Sequence, residues 1–272
     1  MSGLMTIIPL PLIAALLFAI FWAASIFGAV LRQRRMVSSD LVYATSAAVS
    51  LLVLLIGFTF SLALNRYDSR RALVVEEASA IHAVWTRLPL MPQPERAQME
   101  KLTRAYAAQR EAYFTYGIDL DKQMRADVAA DAIVDTMWDK VRSLPDTTMA
   151  PVMTRMLMDN LGRIDDVAWR REDMARAHIP FLVINLLIVF SILTAISMGI
   201  SGAPDRRVHP THLIFFALNA AAIMLVFDLD RPRLGLVLVS QRPIAEVQEM
   251  MASDAARYAA REAAAAPVTS PR

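Results

Sequence analysis

Four long stretches without a charged side chain most constrain what this chain can fold into. They cover residues 1–31, 41–65, 179–204 and 208–227. A helix rises about 1.5 Å per residue and the hydrocarbon core of a bilayer is about 30 Å thick, so about 20 apolar residues suffice to cross it. The first three stretches exceed that length. The fourth is strongly apolar only over residues 213–227, and it alone is also compatible with a buried core helix.

Composition agrees with a membrane protein and argues against several other functions. Hydrophobic residues make up 56% of the 272 residues, above the roughly 45–50% of soluble domains. The chain has no cysteine, which excludes disulfides and thiolate metal sites. The net charge of +2 is too balanced to indicate a nucleic-acid partner. No catalytic constellation, metal-ligand spacing or phosphate loop occurs, so we expect no enzyme, no metal site and no cofactor.

The polar region between the second and third stretches has helical signals throughout. No proline or glycine lies between Gly57 and Pro89, so span two is predicted to continue as one helix over about 41–88. An apolar stripe at helical spacing runs along its outer part and consists of Leu73, Val74, Ala78, Ile81, Trp85 and Leu88. Further helices are predicted over 95–116 and 120–144. A last one begins near Pro151 and runs into span three, with a kink at Pro180.

These elements predict an all-α, four-span transmembrane protein. Its helical-bundle domain is formed by extensions of spans two and three. The predicted division has spans one and two in residues 1–65 and a water-facing helical domain in 66–178. Spans three and four occupy 179–228, and a C-terminal segment with a disordered tail occupies 229–272. Basic residues occur both in the short loops and beside the domain, so the positive-inside rule leaves the orientation open.

Two sets of charged residues are candidate sites. Aspartates recur every four residues on the helix predicted over 120–144, at Asp127, Asp131, Asp135 and Asp139. They could bind cations, but a solvated face or pairing with Lys101, Arg104 or Arg163 is favoured. Other charges lie near the ends of spans two and four, where they could ring a pore mouth or pair helices. They are Arg66, Arg70, Glu76, Glu77, Asp228, Asp230 and Arg231.

Several short motifs resemble one family. Residues 57–67, GFTFSLALNRY, resemble the second-span pattern of bestrophins, with a leucine four residues after the phenylalanine and then arginine and an aromatic. Similarity to a bacterial family of bestrophin-like membrane proteins extends over nearly the whole chain. It includes EEASAI at 76–81, LDRP at 229–232, Gly235, Ser240 and Pro243.

The resemblance carries functional expectations. Bestrophins are pentameric anion channels with a hydrophobic neck on this span, which implies a pore lined here by Ser50, Leu54 and Phe58. Their spacing of four residues places them on one helix face. Ser50 departs from the pattern, because a large apolar side chain is expected there. The acidic run that binds calcium in animal bestrophins is reduced to Asp228 and Asp230, so calcium gating is not implied.

The leading hypothesis is an oligomeric channel for anions or other small ions. Four spans with little internal polarity cannot easily enclose a water-filled pore, so a pore on the axis of a homo-oligomer is expected. We expect a multi-pass protein of a cell inner membrane, with the lipid bilayer and small ions as partners. The alternative is a membrane-anchored sensor or scaffold whose helical domain binds a ligand or partner.

Overall fold

The computed structural model describes residues 9–32, 39–117, 119–144, 151–201, 210–231 and 235–265. No strand occurs in these ranges, so the predicted all-α class is confirmed. A short 3-10 helix covers Leu88–Leu90. The α-helices are α1 Leu10–Arg32, α2 Ser39–Trp85, α3 Glu95–Thr115, α4 Leu120–Arg142, α5 Pro151–Arg176, α6 Phe181–Ser201, α7 Pro210–Asp230 and α8 Arg242–Ala265. The short basic loops and almost all of the tail predicted to be disordered lie outside the described residues.

Four helical stretches are long and apolar enough to cross a membrane. They are Leu10–Arg32, Tyr43–Leu90, Pro151–Ser201 and Pro210–Asp230. The predicted number of spans is therefore confirmed, including the fourth. Two of these stretches are about twice as long as a crossing requires, because each includes a polar helical segment as well as a span.

The chain divides into two compact units. Unit 1 comprises Met1–Asp68 and Ala177–Leu238, and unit 2 comprises Ser69–Arg176 and Val239–Arg272. Helix α2 belongs to unit 1 up to Asp68 and to unit 2 from Ser69 onwards. The C-terminal segment that the sequence suggests as one piece is divided between the units after Leu238.

Unit 1 brings α1 and α6 together at two glycines. A Cβ added to Gly28 would lie 2.1 Å from the carbonyl oxygen of Ile196. One added to Gly199 would lie 2.0 Å from the carbonyl oxygen of Ser25. Each glycine therefore lets the backbone of the other helix approach, which is how small residues promote helix association in membranes.

Unit 2 has its own apolar core. The stripe predicted on the outer part of α2 is buried, as expected from its helical spacing. It packs with buried side chains of α3, α4, α5 and α8, which include Met99, Met137, Leu157, Leu161, Ile164, Ile244 and Met251. The partner that the stripe requires is therefore the rest of this bundle.

The kink expected at Pro180 is an interruption of four non-helical residues, 177–180. Pro180 has no backbone N–H to donate, which ends the pattern of helical hydrogen bonds. The N–H of Ile179 donates instead to Asp230 Oδ1, at 2.9 Å. A new helix then begins, with the N–H of Val183 donating to the carbonyl of Pro180 at 2.9 Å. The kink predicted at Pro180 is thus a short break, after which α6 follows α5 along the chain.

The α1–α6 contact predicts a large difference between two glycine substitutions. Gly199→Ala should lower the unfolding free energy by about 1–3 kcal/mol, because its methyl group overlaps the backbone of α1. Gly57→Ala is the matched control, since no atom lies within 4 Å of its added Cβ and alanine favours helices. Thermal unfolding of the full chain in detergent measures both. Equal midpoints for the two variants would contradict the contact.

Candidate functional site

The three residues expected to line a pore lie on one face of α2 in unit 1. Leu54 and Phe58 are 54% and 63% exposed in the single chain, and Ser50 is exposed as well. The hydroxyl of Ser50 donates to the carbonyl of Ser46 at 3.0 Å, so its polarity is largely satisfied within the helix. This face is therefore mainly apolar and is not covered by unit 1 itself.

Span two is the least covered of the four apolar stretches. Only 17% of its most apolar window is buried within the chain, against 44% for Pro210–Asp230. An apolar helix in a membrane can leave such a face against lipid or against another copy of the chain. Span two, which carries Ser50, Leu54 and Phe58, thus leaves the largest share of its apolar window uncovered within the chain.

The end of α7 is organised by two buried aspartates. Asp228 has no exposed surface, and its two carboxylate oxygens accept the backbone N–H groups of Leu236 and Val237 at 2.8 and 3.1 Å. Asp230 is also buried and accepts the N–H of Ile179. Both carboxylates therefore bind backbone amides that lie beyond the helix ends.

Gly235 makes the turn back towards Asp228 possible. A Cβ at this position would lie 1.9 Å from Asp228 Oδ1, and the residue has a φ of 155°. The following N–H groups can then reach the carboxylate. Arg231 is buried beside them, and its N–H donates to the carbonyl of Asp228 at 3.2 Å.

These carboxylates are not arranged as a metal site. Among the described residues, no group of three or more His, Cys, Asp or Glu side chains could hold a metal ion. The oxygens of Asp228 are used by backbone donors instead.

In unit 2 the structure brings Glu77 together with residues that the sequence did not single out. Glu77 Oε1 accepts from the hydroxyl of Tyr106 at 2.8 Å and from Nε of Arg110 at 2.6 Å. Its other oxygen accepts from Nη1 of Arg171. The three charged side chains are at most 2% exposed. We call Glu77, Tyr106, Arg110 and Arg171 the Glu77 cluster.

Further contacts hold Arg171 in place. Nη2 of Arg171 donates to the side chain of Gln241 at 2.8 Å, and its guanidinium carbon lies 3.8 Å from the ring centre of Phe114. Burial lowers the pKa of Arg171 to about 9, so it remains a cation at neutral pH. Burial also raises the pKa of Tyr106, which keeps its hydroxyl a neutral donor.

The other predicted charges on α2 have less enclosed settings. Arg70 is buried, and its Nε donates to the carbonyl of Met174 at 3.2 Å. Glu76 pairs with Arg170 at 2.9 Å on the surface of unit 2. The pair borders a cleft of about 370 Å³ that is also lined by Asp173. Arg66 is half-buried in unit 1.

The aspartate stripe lies on α4 and is mostly solvated. Asp131, Asp135 and Asp139 are exposed. Asp127 pairs with Arg110 of α3 at 3.3 Å, so pairing to a neighbouring helix occurs through a different arginine from those expected. Arg104 pairs instead with Glu100 of its own helix. Partial desolvation and then the charge of Asp127 raise the pKa of Asp131.

The sequence does contain a pattern that indicates buried partners for Arg110 and Arg171. Arg110 lies four residues after Tyr106 on the buried face of α3, and Arg171 lies four after Val167 on that of α5. A charged side chain on an apolar face is normally paired. Such a position therefore indicates a buried partner, although it does not identify which one.

A profile of the Bestrophin-like domain matches residues 12–244, which is most of the chain. The chain belongs to the bestrophin-like family. A search of curated proteins finds no match for its sequence. The assignment by profile covers all four spans and the whole polar region, so it is not limited to the short motifs of span two.

Solved structures of a bacterial bestrophin homologue from Klebsiella pneumoniae are similar to this bestrophin-like chain in fold. One, phased with zinc, has a TM-score of 0.67 at 12% identity and covers 90% of this chain and 98% of its own. A single-substitution variant has a TM-score of 0.65 at 14% identity, with coverages of 89% and 97%. At such identities the likeness concerns the fold alone.

The Glu77 cluster predicts a strong dependence of stability on one carboxylate. Glu77→Gln should lower the unfolding free energy by about 3–5 kcal/mol, because two buried guanidiniums lose their anion. Glu76→Gln makes the same chemical change at the adjacent, exposed pair and should cost less than about 1 kcal/mol. Unfolding of the full chain in detergent compares them. Similar small losses in both variants would contradict a central role for Glu77.

Proposed function

We propose that this bestrophin-like protein is an oligomeric ion channel whose pore is lined by α2 of each copy. Anions are the first candidates for the permeant ion, as the resemblance to bestrophins implies. The protein would act as a multi-pass transporter of small ions in a bacterial inner membrane and not as an enzyme. The observation that carries the proposal is the exposed face of α2 with Ser50, Leu54 and Phe58.

The chemistry of this face suits a narrow apolar constriction. Leu54 and Phe58 present large apolar side chains one turn apart, and neither is covered within its own chain. When several copies place such side chains around one axis, they form a hydrophobic neck. A neck of this kind can control ion flow by excluding water from the pore.

The pore requires more than one chain. The polar side chains Thr59 and Ser191 donate to carbonyls four residues earlier in their own helices, so they do not offer a continuous polar path. Closed rotational symmetry places the same face of every copy at the axis. A ring therefore makes a pore from a surface that is only an apolar helix face in one copy.

The charged residues predicted at the pore mouth differ in their solvent exposure, and we assign them two different roles. Glu77, Asp228 and Asp230 are buried and bind partners within the chain. We propose that they position helices and do not meet the permeant ion. Arg66 and Glu76 keep exposed surface, so they are the better candidates for charges that attract or repel ions at a mouth.

Replacing the proposed neck residues should change conductance. Phe58→Ala and Leu54→Ala remove bulk from the apolar face, so we expect an altered single-channel conductance or open probability in planar bilayers with purified protein. Phe27→Ala is the matched control, since Phe27 is a similarly exposed phenylalanine, 56%, on α1. Unchanged currents in both α2 variants would contradict a pore along this face.

The copy number tests the same proposal without relying on currents. Native mass spectrometry should give an assembly of several copies. Single-particle imaging in nanodiscs should show a ring with α2 innermost. A monomer, or a dimer with a dry membrane region, would instead favour the sensor or scaffold function.

Ion flux is a separate test. If the purified protein passes no ions across a range of pH and calcium concentrations, that result would also count against the channel.

A further inference from the structure

The exposed face of α2 continues beyond the residues proposed to form the neck. Ser61, Asn65 and Asp68 follow Phe58 at steps of three, four and three residues, a spacing that keeps side chains on one face of a helix. All three are exposed in the single chain, and the face belongs to unit 1 as far as Asp68. This surface therefore changes along the helix from apolar to polar and reaches a carboxylate at the end of unit 1.

Asp68 differs from the other carboxylates of unit 1. Among the side chains of this unit that the structure describes, it is the only exposed carboxylate. Asp228 and Asp230 are buried and accept backbone N–H groups. Asp68 forms no ion pair with any described residue. Its charge therefore does not hold helices together and is available to whatever faces α2.

The arginines nearest in sequence do not neutralise this carboxylate. Arg66 lies about 120° around α2 from Leu54 at 3.6 residues per turn, and it is half-buried. Arg70 is buried in unit 2, where it donates to a backbone carbonyl. Arg71 is exposed but forms no ion pair with Asp68. The charge on the face that continues from the neck is therefore negative.

A ring of copies would multiply this charge around one opening. Rotational symmetry brings Asp68 of every copy to the same depth, about 15 Å along the helix from Phe58 at a rise of about 1.5 Å per residue. Several carboxylates around an opening create a negative potential that attracts cations and repels anions. An apolar neck carries no charge of its own, so the discrimination between cations and anions falls to such a ring.

We propose that Asp68 determines ion selectivity and that the pore prefers small cations. This inference rests on the proposed pore along α2. The resemblance to bestrophins makes anions the first candidates, whereas the charge on this face of the chain favours ions of the opposite sign. Asp68 sets which ions are concentrated at the opening, and the apolar residues Leu54 and Phe58 set whether they pass.

Screening by salt tests the role of an exposed charge with the wild-type chain. The Debye length falls from about 10 Å at 0.1 M to about 3 Å at 1 M ionic strength. The permeability ratio of K⁺ to Cl⁻ in the wild type should therefore fall as the salt on both sides of the bilayer is raised. In Asp68→Asn the ratio should change little. The same salt dependence in both proteins would contradict the proposal.

Charged labels test the sign of the effect at a single position. The chain has no cysteine, so Asp68→Cys introduces the only thiol. Modification with a methanethiosulfonate that carries a sulfonate should restore the preference for K⁺, and one that carries a trimethylammonium group should turn it towards Cl⁻. Asp139→Cys, at an exposed position of α4, is the control and should respond to neither label. A ratio that ignores the sign of the label at residue 68 would overturn the proposal.

Reversal potentials in a gradient of potassium chloride measure the selectivity directly, with the purified full chain in planar bilayers. We expect the wild type to pass K⁺ more readily than Cl⁻, and Asp68→Asn to lower the permeability ratio severalfold. Asp139→Asn makes the same chemical change at an exposed residue of α4 and should leave the ratio unchanged.

Two failures can be told apart in this experiment. Currents that prefer Cl⁻ in the wild type, or equal ratios in the wild type and Asp68→Asn, would overturn the role of Asp68 and leave the channel in place. Absence of any current from the wild type would overturn the channel itself, and the proposed selectivity with it.

Discussion

The buried carboxylate of Glu77 holds the helices of unit 2 in one arrangement. It accepts hydrogen bonds from α3 and α5 while lying on α2, and Arg171 extends the network to Gln241 just before α8. Taking three charges out of water costs several kcal/mol per ion, and their attraction recovers this only in good geometry. The cluster therefore contributes more to choosing one packing of the bundle than to its total stability. An alternative packing would leave a guanidinium buried without its anion.

Unit 1 is governed by a different constraint, which is the need to satisfy backbone groups where helices end. A membrane offers no water to unpaired amides. Asp230 receives the N–H of Ile179 where the chain is interrupted before α6, and Asp228 receives two N–H groups after α7. Acidic residues at the end of an apolar span can thus accept hydrogen bonds from backbone N–H groups, although their position also suggests ion binding.

The features that the sequence predicted best depend on residues that lie close together along the chain. Uncharged stretches indicated the spans because the bilayer sets their length, and the stripe on α2 indicated a packed bundle because it repeats with the helical period. Arg110 and Arg171 could not be matched to Glu77, since they lie 33 and 94 residues away and meet it only through tertiary packing. Likewise, Ser50, Leu54 and Phe58 share a face by spacing, but what covers that face depends on the assembly.

The reciprocal glycines of α1 and α6 also bear on how the protein is made. Gly28 leaves the ribosome about 170 residues before Gly199, and the two polar backbones meet only when both helices are present. Span insertion and helix association are separate steps in membrane proteins. During synthesis the first helix is therefore made well before its partner, because span two and the first part of unit 2, Ser69–Arg176, are translated between them. The unit that begins the chain is completed only after most of the other has emerged.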